Sequence, residues 1–149
     1  MFDRRQFLGT FAAATLMTRP AFAGKGAVYA AQGYAIAGYD PVGYFRKSMP
    51  VAGMKQNRLM WRNAVWQFET GANMAAFERD PYAFAPRYGG FCALTLTRGD
   101  LAASDPEAWS IYDNGLYLIQ SASARDEWLR DPAGNIAKAD QIWPEVCNL

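Results

Sequence analysis

The residues of this chain that could carry out chemistry are few, because its 149 residues include no histidine and only two cysteines. Cys92 follows a glycine pair in "RYGGFCAL" (87–94). With Tyr88 nearby, its thiolate could act as a metal ligand or a redox-active group. The alternative is a small buried side chain where a helix packs on a sheet, since free cysteine is among the most buried residue types. Cys147 either pairs with Cys92 or remains a free thiol in a loose tail.

Carboxylates and tyrosines are the other candidate groups. In "GYDPVGYF", Tyr39 and Asp40 could line a ligand pocket, which Tyr44 and Phe45 would complete. The alternative for this segment is a helix cap with aromatic packing around it. Glu69 could bind a hard cation or act as an acid or base, whereas a lone carboxylate at a strand end is more often solvated.

Known catalytic and nucleotide-binding patterns are missing from the sequence. A Ser-His-Asp or Cys-His arrangement requires histidine, which the chain lacks. Gly89 and Gly90 are not followed by the Gly-Lys-Ser/Thr of a phosphate-binding loop, and their spacing fits no dinucleotide fingerprint. Carboxylates and tyrosines leave a catalytic route open, but no pair has a spacing that supports it. The sequence therefore favours a protein without catalysis of its own.

Several local patterns predict where helices begin. Asp accepts the free amides of a first helical turn and Pro is tolerated at the first helical position, so we expect most of the four Asp-Pro pairs to be helix starts. The pairs are Asp40-Pro41, Asp80-Pro81, Asp105-Pro106 and Asp131-Pro132. Apolar residues recur at helical spacing in three segments. These segments are 71–80, 121–131 (with Ser121 as N-cap) and 134–143.

Two stretches predict β-hairpins. "RLMWRNAVWQFE" (58–69) alternates apolar and polar residues around Asn63-Ala64. "WSIYDNGLYLI" (109–119) carries Asn114-Gly115, a pair that readily takes the positive φ angles of a two-residue turn. Short strands mixed with short helices, without regular alternation, indicate the α+β class. We expect a single compact domain, with a small antiparallel sheet built from two hairpins and packed with several short helices.

The first 23 residues predict an export signal. Arg4 and Arg5 precede a short apolar run, and "AFA" ends at a cleavage position, Ala23. The arginine pair is similar to the twin-arginine motif, which implies the twin-arginine translocase as a partner during export and a periplasmic location. The apolar run has about a dozen residues, fewer than the roughly 20 that span a bilayer, so no lasting membrane anchor is expected.

The charge of the expected mature chain, residues 24–149, excludes one class of partner. The signal removes three arginines and one aspartate from the 15 basic and 14 acidic residues, which leaves a net charge of −1. Nucleic-acid binding requires a clustered basic surface, and the sequence has no such cluster. We expect no nucleic-acid partner.

Four segments together resemble the YHS-domain family in its exported bacterial form. They are "AIAGYDPVGYF", "WQFETGANMAAFERDPYAFAPRYGGFCA", "DPEAWSIYDNGLYL" and "GNIAKADQIWP", and the likeness runs from Tyr34 to Pro144. The resemblance implies a metal-binding module, with one cysteine after an Asp-Pro-Val turn and two more where a strand meets a helix. Here Gly43 stands at the first position, and Glu69 and Asn73 stand near the others. Zinc and copper(I) sites require thiolates or imidazoles, so we expect weak metal binding at most.

Three functional hypotheses follow from these observations. The preferred one is a periplasmic ligand-binding or accessory module, whose small-molecule ligand or protein partner the sequence does not identify. The second is copper or zinc handling with a reduced ligand set, completed by a second chain or by Met49, Met54 and Met60. The third is a thiol or redox enzyme centred on Cys92. No cofactor is evident from the sequence.

Overall fold

A computed structural model describes residues 27–147 of the chain. The predicted export signal, with Arg4, Arg5 and Ala23, lies outside the described residues. Within residues 27–147, no helix has both the length and the apolar character needed to cross a membrane.

The described chain forms one compact α+β domain, which confirms the predicted fold class. Its strands are β1 (Ala30–Ala31), β2 (Tyr34–Ala35), β3 (Met54–Trp61), β4 (Ala64–Phe68), β5 (Asp105–Tyr112) and β6 (Gly115–Ile119). Its α-helices are α1 (Pro41–Lys47), α2 (Gly71–Arg79), α3 (Pro81–Phe84), α4 (Ala93–Leu96), α5 (Ala122–Trp128) and α6 (Pro132–Val146). Short 3₁₀ turns lie at Ile36–Gly38 and Arg87–Gly90.

Both predicted hairpins form, but they belong to different sheets. β3 and β4 lie in a four-stranded sheet of order β1-β2-β4-β3, whereas β5 and β6 pair only with each other among the described strands. β2 pairs with the side of β4 that β3 leaves open, so β4 is an interior strand of the larger sheet. Tyr34 pairs there with Val65 in parallel orientation, so the larger sheet is mixed rather than antiparallel.

The hairpin turns lie one residue earlier than predicted. Arg62 and Asn63 carry positive φ angles of 50° and 59°. Asp113 and Asn114 carry angles of 47° and 59°. Two consecutive left-handed residues define the type I′ geometry that matches strand twist, and Asn and Asp tolerate it. Gly115 is therefore the first residue of β6 and not part of the turn.

Three of the four predicted helix starts are confirmed. Asp40, Asp80 and Asp131 each accept a backbone N–H in the first turn of α1, α3 and α6. Asp105 is the exception, because it begins β5 and pairs with Ile119. Its carboxylate accepts the N–H of Glu107 at 2.9 Å, which is a turn-like contact without a helix. Pairing with β6 prevails over the local helix signal.

The predicted helices over 71–80, 121–131 and 134–143 are confirmed as α2, α5 and α6. Ser121 caps α5 by accepting the N–H of Ala124. The expected loose tail around Cys147 is wrong, because α6 continues through Pro144 to Val146 and Cys147 is buried at its end.

The core consists of two clusters joined by β6. The first includes Trp66, Phe68 and Phe77, and the second includes Trp128 and Ala139. All five residues of β6 are buried, and successive side chains of a strand point to opposite faces. Leu116 and Leu118 pack in the first cluster, whereas Tyr117 and Ile119 pack in the second. The smaller sheet thus lies between the two clusters.

Candidate functional site

Asp40 is the centre of a buried hydrogen-bond network and is fully shielded from solvent. Its Oδ1 accepts the N–H groups of Val42 at 2.8 Å and Gly43 at 3.3 Å, which caps α1. Its Oδ2 accepts the N–H of Glu69 at 2.9 Å and the Nδ2 of Asn73 at 2.6 Å. Both oxygens are engaged by donors, so this carboxylate fixes α1 against β4 and α2. The helix-cap interpretation agrees with this geometry.

Two basic side chains of α1 extend the network towards solvent. Arg46 donates to Oδ1 of Asn73 at 2.6 Å, and this contact fixes the orientation of the Asn73 amide. Lys47 forms an ion pair with Glu69 at 2.7 Å. The side chains at the candidate metal positions are thus occupied by contacts within the chain. Among residues 27–147, no group of three or more Cys, Asp or Glu side chains lies where it could hold a metal ion.

The aromatic residues of the same segment pack within the domain. The Tyr44 ring is buried, and its hydroxyl donates to the Pro106 carbonyl at 2.8 Å. Burial raises the pKa of Tyr44, and the negative charge of Glu107 adds to the effect. Phe45 packs edge-on against Phe84, with ring centroids 5.7 Å apart. The structure therefore uses these rings as packing elements.

Tyr39 is partly buried, and its backbone forms an isolated bridge with Ala52. Neither of the two clefts described below includes Tyr39, Asp40, Tyr44 or Glu69 in its walls. The structure thus brings Asp40 and Glu69 together, through the backbone of Glu69, without making them part of a cleft.

Cys92 is fully buried, as the packing interpretation expects. Cys92 belongs to the second cluster, whereas Trp66 and Phe68 belong to the first. β6 lies between the two clusters and separates them. Neither Cys92 nor Cys147 forms a disulfide in the structure. A thiol without solvent contact is poorly placed for redox or nucleophilic chemistry.

Tyr88 is the predicted site residue that lines a cleft. This cleft, called the aromatic cleft below, has a volume of about 250 Å³. Aromatic side chains from several elements form its walls, and three charged side chains line it. The aromatic residues are Trp61, Trp66, Tyr82 and Trp143, and the charged ones are Arg62, Arg87 and Asp140.

The first wall comes from the β3–β4 hairpin and α3. Trp61 and Trp66 meet edge-on with ring centroids 5.6 Å apart, and the Trp66 indole N–H donates to the Trp61 carbonyl at 3.0 Å. Arg62, in the hairpin turn, lies over the Trp61 ring at 4.8 Å and the Tyr82 ring at 5.2 Å. It also donates to the Tyr82 hydroxyl at 2.8 Å. Cation–π contact and the hydrogen bond together hold this guanidinium at the rim.

The floor of the cleft is built by the 3₁₀ turn at 87–90. Tyr88 has a left-handed backbone, with φ of 56°, and so does Gly89, with φ of 63°. A Cβ at Gly89 would collide with the Ala27 carbonyl oxygen, while the Gly89 carbonyl accepts the N–H of Tyr29 at 2.8 Å. Glycine is required here both for its conformation and for this close approach. The turn is thereby fixed against the N-terminal segment.

The Tyr88 side chain bridges the turn to α6. It is 6% exposed, and its hydroxyl donates to Oδ1 of Asp140 at 2.8 Å. Burial raises the pKa of Tyr88, and the hydrogen bond to Asp140 raises it further. Tyr88 therefore remains a neutral hydrogen-bond donor at neutral pH, and its ring packs edge-on against Trp143 at 5.9 Å.

A second cleft of about 420 Å³ adjoins the first and shares Arg87 and Asp140 with it. Its other walls include Tyr112, Asp113 and Tyr117. Since two acidic residues and Arg87 line it, this polar cleft differs in chemistry from the aromatic one. The shared residues make the two clefts a continuous surface.

Most residues of the aromatic cleft were missed by sequence reasoning. The glycine pair after Tyr88 was a usable signal, because it indicated a tight turn beside an aromatic residue. Trp61, Tyr82 and Trp143 gave no such signal, since aromatic residues at these spacings equally indicate core packing. They meet only because the hairpin, α3 and α6 converge on the 87–90 turn.

Comparison with models of known protein families finds no match to this chain. Neither a curated protein nor a solved structure matches it.

Proposed function

We propose that this chain is an exported, periplasmic YHS-type domain that binds a small planar ligand in the aromatic cleft, without catalysis of its own. The family and the location rest on the sequence motifs alone. The binding function rests on one structural observation, a concave cleft with aromatic walls around a buried Tyr88 hydroxyl.

The composition of the cleft supports ligand binding. Ligand pockets are mostly apolar and aromatic, with a few convergent polar groups that fix orientation. Here the Tyr88 hydroxyl and Asp140 supply polar groups at the floor. At about 250 Å³ the volume lies just below the roughly 300–1,000 Å³ of pockets for drug-sized ligands. A ligand of one or two rings suits this space, since aromatic walls favour stacked or edge-on contact with a planar molecule.

The chemistry of the polar groups supports a binding role over a catalytic one. A general base works best with a pKa near the working pH, whereas burial moves the pKa of Tyr88 upward. The hydroxyl is committed to Asp140, and this contact holds both side chains in place. The thiol-enzyme hypothesis would need an accessible Cys92, which is fully buried. The metal-handling hypothesis relies on methionines, and Met49 and Met60 are exposed. No contact within residues 27–147 indicates that these side chains bind a metal rather than remain solvated.

The proposal is tested with a neutral two-ring probe, naphthalene-2-carboxamide, titrated into the purified protein. Three tryptophans line the aromatic cleft and should report binding as saturable quenching of intrinsic fluorescence. Tyr82→Ala removes an exposed aromatic wall, whereas Tyr112→Ala removes a matched exposed tyrosine that lines the polar cleft and not the aromatic one. We expect Tyr82→Ala to weaken binding about three- to tenfold, from the loss of one aromatic contact. Tyr112→Ala should have no effect.

Two results would contradict the proposal. One is the absence of saturable binding of naphthalene-2-carboxamide and of other neutral one- and two-ring probes. The other is equal weakening by Tyr82→Ala and Tyr112→Ala, which would place the probe outside the aromatic cleft.

A further inference from the structure

We infer that the ligand of the aromatic cleft is a planar monocarboxylic acid whose carboxylate pairs with Arg87, where the aromatic cleft meets the polar one. The inference rests on the proposed binding function and adds the charge of the ligand to it.

The charges that line the aromatic cleft favour an anion. Asp140 already accepts the Tyr88 hydroxyl at 2.8 Å. Arg62 is held by the Trp61 and Tyr82 rings and donates to the Tyr82 hydroxyl. Arg87 is exposed and forms no hydrogen bond or ion pair with any other residue in the described range 27–147, and the cleft has one more positive than negative charge. The cation that lacks a partner is thus the one at the junction of the clefts.

Arg87 lies beside the adjoining hairpin. A Cβ on Gly115 would meet the ring of Tyr117 at 3.0 Å, and the Nε of Arg87 and the hydroxyl of Tyr117 each at 3.1 Å. The arginine side chain therefore lies over the start of β6. It occupies space that the Cβ of any other residue at position 115 would enter. From this position Arg87 lines both clefts. Its planar guanidinium matches a carboxylate in a two-point hydrogen-bonded pair, so the site selects this group by shape as well as charge.

Other classes of ligand fit less well. Aromatic walls can hold an organic cation, but here the Trp61 and Tyr82 rings already hold the Arg62 guanidinium. A multiply charged anion such as a phosphate ester would face Asp113 and Asp140 across the polar cleft. A single carboxylate on a planar apolar body satisfies Arg87 with the least repulsion from these two carboxylates.

The test compares two probes of nearly equal shape, naphthalene-2-carboxylate and naphthalene-2-carboxamide, on the purified protein. We expect the acid to bind about five- to tenfold more tightly than the amide at low salt, as for a partly exposed charged pair. The preference should shrink as salt is added, because screening weakens exposed pairs. Arg87→Gln should remove the preference, so that the acid and the amide bind this variant with equal affinity. Arg130→Gln, at an exposed arginine outside both clefts, is the matched control and should retain it.

A second variant moves Arg87 without removing its charge. Gly115→Ala places a methyl group against both Tyr117 and the Arg87 side chain, so it should displace the guanidinium and lower the acid preference while the amide still binds. Circular dichroism of each variant establishes that it is folded before titration.

The outcomes separate the two proposals. Saturable amide binding with no preference for the acid overturns the ligand assignment and leaves the binding function standing. A preference that survives Arg87→Gln also overturns the assignment, because another group would then hold the carboxylate. If neither probe binds the folded protein, both proposals are wrong. Loss of the preference in Arg87→Gln alone supports both.

Discussion

The Asp40 network predicts that one carboxylate is unusually important for stability. Asp40→Ala removes the acceptor for four donors, of which Val42 and Gly43 belong to the cap of α1, and Glu69 and Asn73 lie outside that helix. Loss of an N-cap costs about 1 kcal/mol. A buried donor left without a partner costs about 1–3 kcal/mol. Since the Glu69 amide is only partly buried, we expect a total loss of about 3–5 kcal/mol in the free energy of unfolding.

Asp131→Ala is the matched control. Asp131 is also followed by proline and also caps a helix, α6, but it is exposed and its carboxylate accepts only the Gly134 N–H, at 3.0 Å. Its loss should cost about 0.5–1 kcal/mol, within the usual range for an exposed cap. The two substitutions make the same chemical change. The difference between their losses in the free energy of unfolding therefore measures what burial and the two additional donors contribute at Asp40.

The assay is urea unfolding followed by tryptophan fluorescence and circular dichroism. Asp40→Asn extends the test if the alanine variant is too unstable to measure. It keeps one oxygen for the cap, but its new amide donor would face the Nδ2 of Asn73, whose orientation Arg46 fixes. The asparagine variant should therefore lose more stability than Asp131→Ala and less than Asp40→Ala. Asp40→Ala and Asp131→Ala agreeing within about 1 kcal/mol would refute the reasoning, because the additional donors would then contribute nothing.

Four further predictions concern other features of the chain. Cys92→Ala should lower the free energy of unfolding by about 1 kcal/mol or somewhat more and Cys92→Ser by more, and rapid alkylation of the native wild-type thiol near pH 7 would contradict its burial. Because the raised pKa of Tyr88 lets the native protein keep a proton that the unfolded chain loses, the contribution of Tyr88 to stability should be constant below about pH 10 and fall above it. Tyr88→Phe should make that fall shallower by up to about 1.4 kcal/mol per pH unit in pH-dependent urea unfolding. Gly89→Ala should cost more than about 1 kcal/mol in the same assay, and a neutral effect would contradict the left-handed, close-packed turn. Replacing Arg4 and Arg5 by lysine should leave unprocessed precursor in cell fractions, whereas processed periplasmic protein in a strain without the twin-arginine translocase would exclude that route.

Local features of the fold could be predicted because their causes lie within a few residues. Asp40, Asp80 and Asp131 cap helices through contacts two or three positions away, so the Asp-Pro pattern contains the whole interaction. Asp105 breaks the pattern because its backbone is claimed by Ile119, which is distant in the sequence. A capping signal is thus reliable only where no strand partner competes for the same backbone groups.

The arrangement of the sheets could not be predicted from the same patterns. β2 contains two residues, too few to show alternation, yet its pairing with β4 makes the larger sheet mixed. Continuous burial of β6 also depends on distant segments, since a strand between two core clusters has no solvated face. The polar alternation expected of a half-buried hairpin strand is therefore absent from β6.

The choice of the aromatic cleft as the binding site follows from which polar groups elsewhere in the molecule already have hydrogen-bond partners. The chain has glycine, glutamate and asparagine at the positions where the resembled family has thiolates, and Asp40 joins the last two in a network whose acceptors are saturated. A carboxylate with both oxygens engaged by buried N–H groups can take up a cation only if those bonds break, which leaves several donors unpaired. Binding of a cation by the Asp40 carboxylate would therefore break hydrogen bonds that stabilise the fold. At the junction of the two clefts the situation is the opposite, because the exposed Arg87 lies beside Gly115 and forms no hydrogen bond or ion pair with any residue in the range 27–147. A ligand that supplies the missing anion there adds a contact without breaking one, and for this reason we assign binding to the aromatic cleft.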